Sequence, residues 1–468
     1  MKTILLSFVA LFGMTIPSVC QSQDLLNDST SRQLKIVVEG FKNRYHSPSI
    51  VVVIVHDKTI IFSESEGYTD VNNKIQATID SKYPILSVTK PFTATMFMQL
   101  YQKNIVALDD DVKKYVPEFK GSSNLADKSG TTLLQLATHT SGLPRNSPAD
   151  INFTKQVDKW ILTGAKDSVI EAATKREFLN SLQFVEVEYP KYQLLPYGNR
   201  HYSNLGYSLL GIALERAAKK DYATYIVNNI CKPLKLNNTG FVTENTGKNS
   251  LAKGYYYDDS NRTFIETPLF KPNSALYNGG MYSTARDLAK FISFQFEKNS
   301  VETNKFLSDD NKTMMQAFNI GWKSSYPFVT HEGAMLGYRC EIIFNPKIKI
   351  GWVILTNTTD FDFSRINDNI SRLILPIFNK NIPMNLRKYE GVYKLTGGYD
   401  SLKIFTRNDS LYSSYLHGML PESPLSHLGE NKFRGQGKGN YSIGYDFILG
   451  DNSEIKFLNM GQLMWVRQ

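Results

Sequence analysis

Ser87-Val88-Thr89-Lys90 sets a hydroxyl and a primary amine three residues apart. On a helix that spacing leaves the two side chains on nearly one face, about 60° apart and about 4.5 Å along the axis, so the amine can reach the hydroxyl. A serine hydroxyl is a poor nucleophile by itself, and an amine held in a dry site can take its proton. The start of a helix adds unpaired backbone N–H groups and the positive end of the dipole, both of which favour an oxyanion forming there. Pro91 agrees with a first turn, because a residue without an N–H is tolerated there and breaks a helix interior. The motif alone fits equally an N-cap serine beside a solvated lysine. Two further copies, Ser250-Leu-Ala-Lys253 and Ser453-Glu-Ile-Lys456, show how little the spacing says alone: the first runs into Gly254-Tyr-Tyr-Tyr257 and the second lies in an expected strand.

Other chemistries find no motif. The sequence has no Walker phosphate loop, no His-Glu-x-x-His zinc helix, no Cys-x-x-Cys pair and no Gly-x-Ser-x-Gly elbow. Gly435-Gln-Gly437-Lys-Gly439 imitates a phosphate loop, but the alternating pattern from Tyr441 to Leu449 reads it as a hairpin loop. No metal and no cofactor are expected. The net charge of +9 is spread along 468 residues without a block of Lys and Arg, which excludes a nucleic-acid arm. A hydrophobic share of 42% gives material for one large core or two, and ordinary Gly and Pro numbers set aside collagen-like and low-complexity chains.

The elements that must position Ser87 and Lys90 follow from periodicity. Ser31 to Arg44 carries Leu34, Ile36, Val37 and Phe41 near helical spacing, and a Val/Ile run from Ser49 to His56 turns at Asp57-Lys58 into Thr59-Ile60-Ile61-Phe62. Thr89 to Gln102 is apolar on most sides, as a central buried helix is. Strand runs return at Arg339 to Phe344 and Ile350 to Leu355, so a sheet of early and late strands encloses a helical middle. A linker is expected over residues 379–388, in a stretch carrying Pro376 and Pro383. Beyond it, residues 389–468 show six short strand runs with turn signals between them, an all-β domain of barrel or curled-sheet type. At the other end, Lys2, the apolar run Ile4 to Ile16 and the small residues before Gln21 read as a signal peptide over residues 1–20. A lipoprotein anchor at Cys20 is disfavoured by Pro17 and Val19, and no later stretch reaches about 18 uninterrupted apolar residues. The expected location is the periplasm or the exterior. With Cys20 removed only Cys231 and Cys340 remain, and spacing does not say whether they pair.

Ser87-x-x-Lys90, then Tyr202-Ser203-Asn204, then His331-Glu332-Gly333 resemble, in order, the three motifs of the serine β-lactamase-related hydrolases, the class C β-lactamase, DD-peptidase and esterase group. The flanks are similar too, notably Leu133-Leu-Gln-Leu-Ala-Thr-His-Thr-Ser-Gly-Leu-Pro144 and Gly279-Gly-Met-Tyr-Ser-Thr-Ala-Arg-Asp-Leu288. The resemblance covers residues 31–378 and implies an α+β fold, an antiparallel sheet flanked by helices with a helical insert. It makes the C-terminal domain similar to the lipocalin-like domains of such proteins. It implies Ser87 as nucleophile, Lys90 as its base partner and Tyr202 as proton carrier, with the phenol lowered in pKa by nearby cations. Asn204 would hold Lys90 and the acyl side of the substrate, and His331 would hydrogen-bond toward Tyr202. Gly333 would let the substrate backbone approach, and the N–H of Ala334 would complete an oxyanion hole with that of Ser87. His139 is read as a helix-ending structural residue, Arg145 flanks the cleft segment without a role, and His201 points away.

Glu332 departs from the Lys-Thr-Gly or His-Thr-Gly form of β-lactamases and DD-peptidases. An acid there faces a substrate carboxylate as a like charge, unless it turns to solvent or is neutralised by a cation such as Arg339. The expected protein is therefore a serine hydrolase of esterase or D-amino-acid peptidase type acting on a small-molecule or peptide substrate. DD-carboxypeptidase, β-lactamase and a penicillin-binding sensor that acylates without turnover are its rivals.

Overall fold

A computed structural model describes residues 25–121, 130–164, 170–188, 201–243, 246, 250–297, 305–325, 327–378, 386–395, 400–407, 410–415, 422–429, 431–436, 442–449, 454–460 and 463–468. The expected signal peptide, Ser453 and most of the expected linker lie outside the described residues.

Six consecutive Val and Ile residues, Ile50 to Val55, can only be buried on both faces of a sheet, and they form the middle of β1 (Ser49–His56). The sheet continues with β2 (Thr59–Asp70), β3 (Ile75–Gln76), β4 (Lys323–Ser325), β5 (Phe328–Met335), β6 (Tyr338–Asn345) and β7 (Ile350–Thr356). Its order is β4-β5-β6-β7-β1-β2-β3, with antiparallel neighbours throughout. The last strand thus pairs with the first, Val53 opposite Val353, as a sheet of early and late strands requires.

The period of two along β1 sorts its residues between two layers. Val51, Val53 and Val55 join the large core that holds α2 (Thr89–Gln102), α3 (Asn204–Ala218) and α4 (Ala285–Phe296). Ile50, Val52 and Ile54 face the other way, against α1 (Asp28–Arg44) and α5 (Phe363–Phe378). Asn27 caps α1 by accepting the Thr30 N–H at 2.8 Å, so the helix starts three residues before the expected Ser31. Pro376, read as a separator, stands inside α5 near its end. α2 is buried from Thr89 to Leu100, which fixes the stretch around Ser87 in the centre of the molecule.

The C-terminal part is a closed barrel of eight antiparallel strands, Gly391–Leu395 through Leu463–Arg467, sealed by pairing Tyr393 with Arg467. Tyr393, Leu402, Phe433, Tyr445, Phe447 and Trp465 fill it. Two of its strands, Ser423–Gly429 and Lys432–Gln436, were not expected, because Pro424, Gly429 and Gly435 read as turn residues. Arg434 on the barrel reaches Asp368 of α5 at 3.2 Å.

Candidate active site

Ser87 sits in a single 3-10 turn, Leu86–Val88, that runs straight into α2. From Tyr83 to Leu100 it is the one residue that is not buried. Leu86 beside it has φ +50, a left-handed conformation that costs a non-glycine residue about 1 kcal/mol or more. The surroundings hold that turn. The Ile85 N–H donates to Met281 O at 2.9 Å and the Cys340 thiol donates to Ile85 O at 3.0 Å. Gly333 on β5 lies so close that a Cβ there would stand 2.4 Å from Ile85 O and 2.5 Å from Cys340 Sγ. The glycine expected to admit substrate backbone is thus required first to let β5 lie against the serine turn.

Lys90, the second residue of α2, is fully buried and touches three oxygens: Ser87 Oγ at 3.0 Å, Asn204 Oδ1 at 3.0 Å and the backbone O of Asn278 at 2.9 Å. None is a carboxylate. Burial, and after it the charge of Arg145, holds the ammonium pKa well below its ordinary value. The Asn278 carbonyl went unnoticed in the sequence, and a backbone oxygen offers no residue type by which to find it.

Tyr202 and Asn204 straddle the N-cap of α3. Ser203 is buried, accepts the Gly206 N–H at 2.8 Å and donates to Pro144 O at 2.7 Å, so its neighbours turn the other way, toward Lys90. The Tyr202 ring lies 4.8 Å from Lys90 Nζ and 5.0 Å from the Arg145 guanidinium, beside Ser87. Burial pushes the phenol up to about 12, outweighing the lowering influence of Ser87 and Arg145. The expected lowering by cations is therefore overturned, because desolvation of a buried phenolate is the larger effect. Asn204 Nδ2 donates to Asn146 Oδ1 at 2.9 Å, which aims its oxygen at Lys90.

His139 does follow the short helix Leu133–Ala137, in a left-handed conformation with φ +60. It also accepts the Ser203 N–H on Nδ1 at 3.1 Å and sets its ring 4.4 Å from that of Tyr202. Reading it as a helix end alone missed that contact.

β4 pairs with β5 only as far as Thr330 among the described residues, which leaves the edge from His331 onward beside the serine turn. His331 is buried, 6.5 Å from Tyr202 between ring centres, and its Nδ1 bonds to Glu332 O at 2.8 Å rather than toward Tyr202. A carbonyl only accepts, so Nδ1 carries the hydrogen and Nε2 is left as an acceptor. Burial is the main cause that holds its pKa down at about 3. Glu332 is exposed, 3.9 Å from Lys323, while the Arg339 guanidinium goes to the carbonyls of Met335 and Tyr338. Ala334 is exposed on the same strand, opposite Arg339.

The decoy Ser250 is exposed and donates to Thr246 O at 3.0 Å, and Lys253 is paired with Glu266 at 3.0 Å and Asp70 at 3.3 Å. Cys231 and Cys340 are buried and unpaired with each other. Among the described residues no group of three or more His, Cys, Asp or Glu is placed to hold a metal ion, and no helix is long and apolar enough to cross a membrane.

An antiparallel sheet between helical layers, with a serine turn at the head of its central helix and a barrel behind, is the β-lactamase/transpeptidase-like fold. The model of the family described as Beta-lactamase matches residues 34–375, and the chain belongs to that family. The chain is 27% identical over 396 residues to Protein flp of Staphylococcus aureus strain MRSA252, covering 82% of this chain and 72% of the relative. In fold it is similar to an octameric penicillin-binding protein homologue from Pyrococcus abyssi, with a TM-score of 0.61 and 23% identity over 93% of this chain and 99% of that one. It is similar also to a beta-lactamase/D-alanine carboxypeptidase from Yersinia pestis, with a TM-score of 0.56 and 24% identity over 75% of this chain and 99% of that one.

Proposed function

We propose that the chain is a serine hydrolase that forms an acyl-enzyme on Ser87, with an ester or a D-aminoacyl amide as substrate. One observation carries the reading: a buried lysine without an acid partner, held by three oxygens. A neutral amine has two N–H donors and one lone pair. Asn204 Oδ1 and Asn278 O can only accept, so they use both donors, and the lone pair faces Ser87. The serine hydroxyl then donates its proton to Lys90 and accepts from the Tyr202 phenol, which the raised pKa of Tyr202 keeps protonated.

From that arrangement the steps balance. Lys90 Nζ takes the Ser87 proton as Oγ bonds to the carbonyl carbon, and the oxyanion is met by the N–H groups of Ser87 and Ala334. Tyr202 protonates the leaving group as its bond to carbon breaks, and the ammonium of Lys90 restores the tyrosine proton. Water then repeats the sequence on the acyl-enzyme. His331, neutral, offers Nε2 as an acceptor to a substrate N–H. The signal peptide expected over residues 1–20 adds export, to the periplasm or the exterior, to this reading.

The test is turnover of p-nitrophenyl esters, nitrocefin and D-aminoacyl p-nitroanilides, together with the lifetime of the acyl-enzyme. Release within seconds on an ester or D-aminoacyl amide supports the hydrolase. An adduct that persists for hours replaces it with the penicillin-binding sensor.

A further inference from the structure

Arg145 belongs to neither the serine turn nor its proton path, yet it stands at the mouth of the site. Its backbone is tied down, the carbonyl accepting the N–H of Asn204 at 2.7 Å and of Leu205 at 3.2 Å. Its side chain is exposed, with the guanidinium 5.0 Å from the Tyr202 ring. Four other arginines hold carboxylates: Arg216 with Glu118 at 2.8 Å, Arg286 with Asp80 at 2.7 Å, Arg407 with Glu422 at 2.7 Å and Arg434 with Asp368 at 3.2 Å. Arg145 has no carboxylate partner among the described residues.

A guanidinium stacked on a ring keeps its N–H edge free, in the fork geometry that takes a carboxylate through two parallel bonds.

We propose that Arg145 is a specificity-determining residue that binds a carboxylate carried on the acyl portion of the substrate. This rests on the acyl-enzyme reading, with the acyl group lying on the side of Asn204. Fixed by Asn204 and Leu205, the arginine meets the carboxylate without reorganising its backbone. The preferred acyl donor is a dicarboxylic half-ester or another acidic acyl group.

The experiment measures kcat/KM for mono-p-nitrophenyl glutarate and for its methyl ester, in wild type, Arg145→Gln and Arg145→Lys. A charge-assisted pair of this kind corresponds to a preference of about tenfold to a hundredfold. Wild type is expected to favour the free acid by that factor, Arg145→Gln to lose the preference and Arg145→Lys to keep part of it. An unchanged ratio in Arg145→Gln, or a wild type that prefers the methyl ester, overturns the role of Arg145. Fluorophosphonate labelling of wild type separates the two failures: a labelled enzyme with an unchanged ratio overturns Arg145 alone, whereas an unlabelled, inactive wild type overturns the hydrolase and Arg145 together.

Discussion

Lys90 and Glu341 are both buried ionisable groups, one on each side of the central sheet, and they are built differently. Glu341 on β6 faces α5. Its two oxygens bond Thr330 Oγ1 and Asn367 Nδ2, each at 2.8 Å, and Asn367 Oδ1 in turn accepts the Trp352 indole N–H at 2.8 Å. Burial, with Glu332 opposite it in the strand pairing, pushes the carboxyl up to about 8. It is neutral at neutral pH, and the network around it is closed. Desolvation likewise holds the Lys90 ammonium well below its ordinary pKa, but one of its three oxygens belongs to Ser87, a residue partly open to solvent. A buried titratable group whose partners are all internal holds elements together. One whose last partner is reachable from outside can pass a proton to a substrate.

Replacing the reachable partner has the largest effect. Ser87→Ala is expected to lower turnover by about 10⁴ to 10⁶, while Ser250→Ala leaves it unchanged, as steady-state kinetics on the preferred ester will read. Equal losses in both variants would break the distinction between Ser87, whose partner is a buried lysine, and the decoy Ser250.

Lys90→Ala and Tyr202→Phe should each slow acylation by roughly 10² to 10⁴, and the double variant should lose less than the product, because both act on one proton path. In wild type, activity falls on the acid side as Lys90 takes up a proton, since only the neutral amine accepts from Ser87. No alkaline limb is expected until Tyr202 ionises near pH 12. A pH–rate profile that instead falls below pH 10 would assign Tyr202 a role as phenolate.

Glu341→Gln sharpens the other half of the comparison. A carboxyl whose pKa rises from about 4.5 to about 8 on folding stabilises fully below about pH 4.5 and loses that contribution as the pH rises through about 8. Wild type should therefore lose about 3 to 5 kcal/mol across that window on this account, and the glutamine variant, which keeps a donor and an acceptor in place, should not. Thermal unfolding at pH 5 and pH 8 reads the difference, with the catalytic rate of the variant preserved. A rate loss as large as that of Lys90→Ala would make Glu341 part of the site.

The smallest effect belongs to an exposed charge. Glu332→Thr should improve kcat/KM for a D-aminoacyl substrate with a free terminal carboxylate, relative to its methyl ester, by about threefold to tenfold. Solvent and Lys323 screen the repulsion that a buried acid would exert.

Much of this was legible in the residues. The Val/Ile run at Ile50 to Val55 and the apolar stretch from Thr89 to Gln102 were read as strand and central helix because their periods admit little else. The motifs at Ser87, Tyr202 and His331 marked three distant segments that the fold brings to one point. What stayed hidden depends on conformation rather than residue type. The left-handed turn at Leu86 has no glycine to announce it, the Asn278 carbonyl has no side chain to read, and the direction of the Tyr202 shift is decided by burial, which no local pattern contains. The two extra barrel strands were lost because their proline and glycines look like turns.

The central claim is that Ser87 is the group that becomes acylated. Peptide mass spectrometry after reaction with a fluorophosphonate, or with a slowly released ester quenched in acid, locates the adduct. The account predicts the full adduct mass on Ser87, lost in Ser87→Ala and slowed in Lys90→Ala. An adduct on any other serine, or labelling that survives Ser87→Ala, would contradict it.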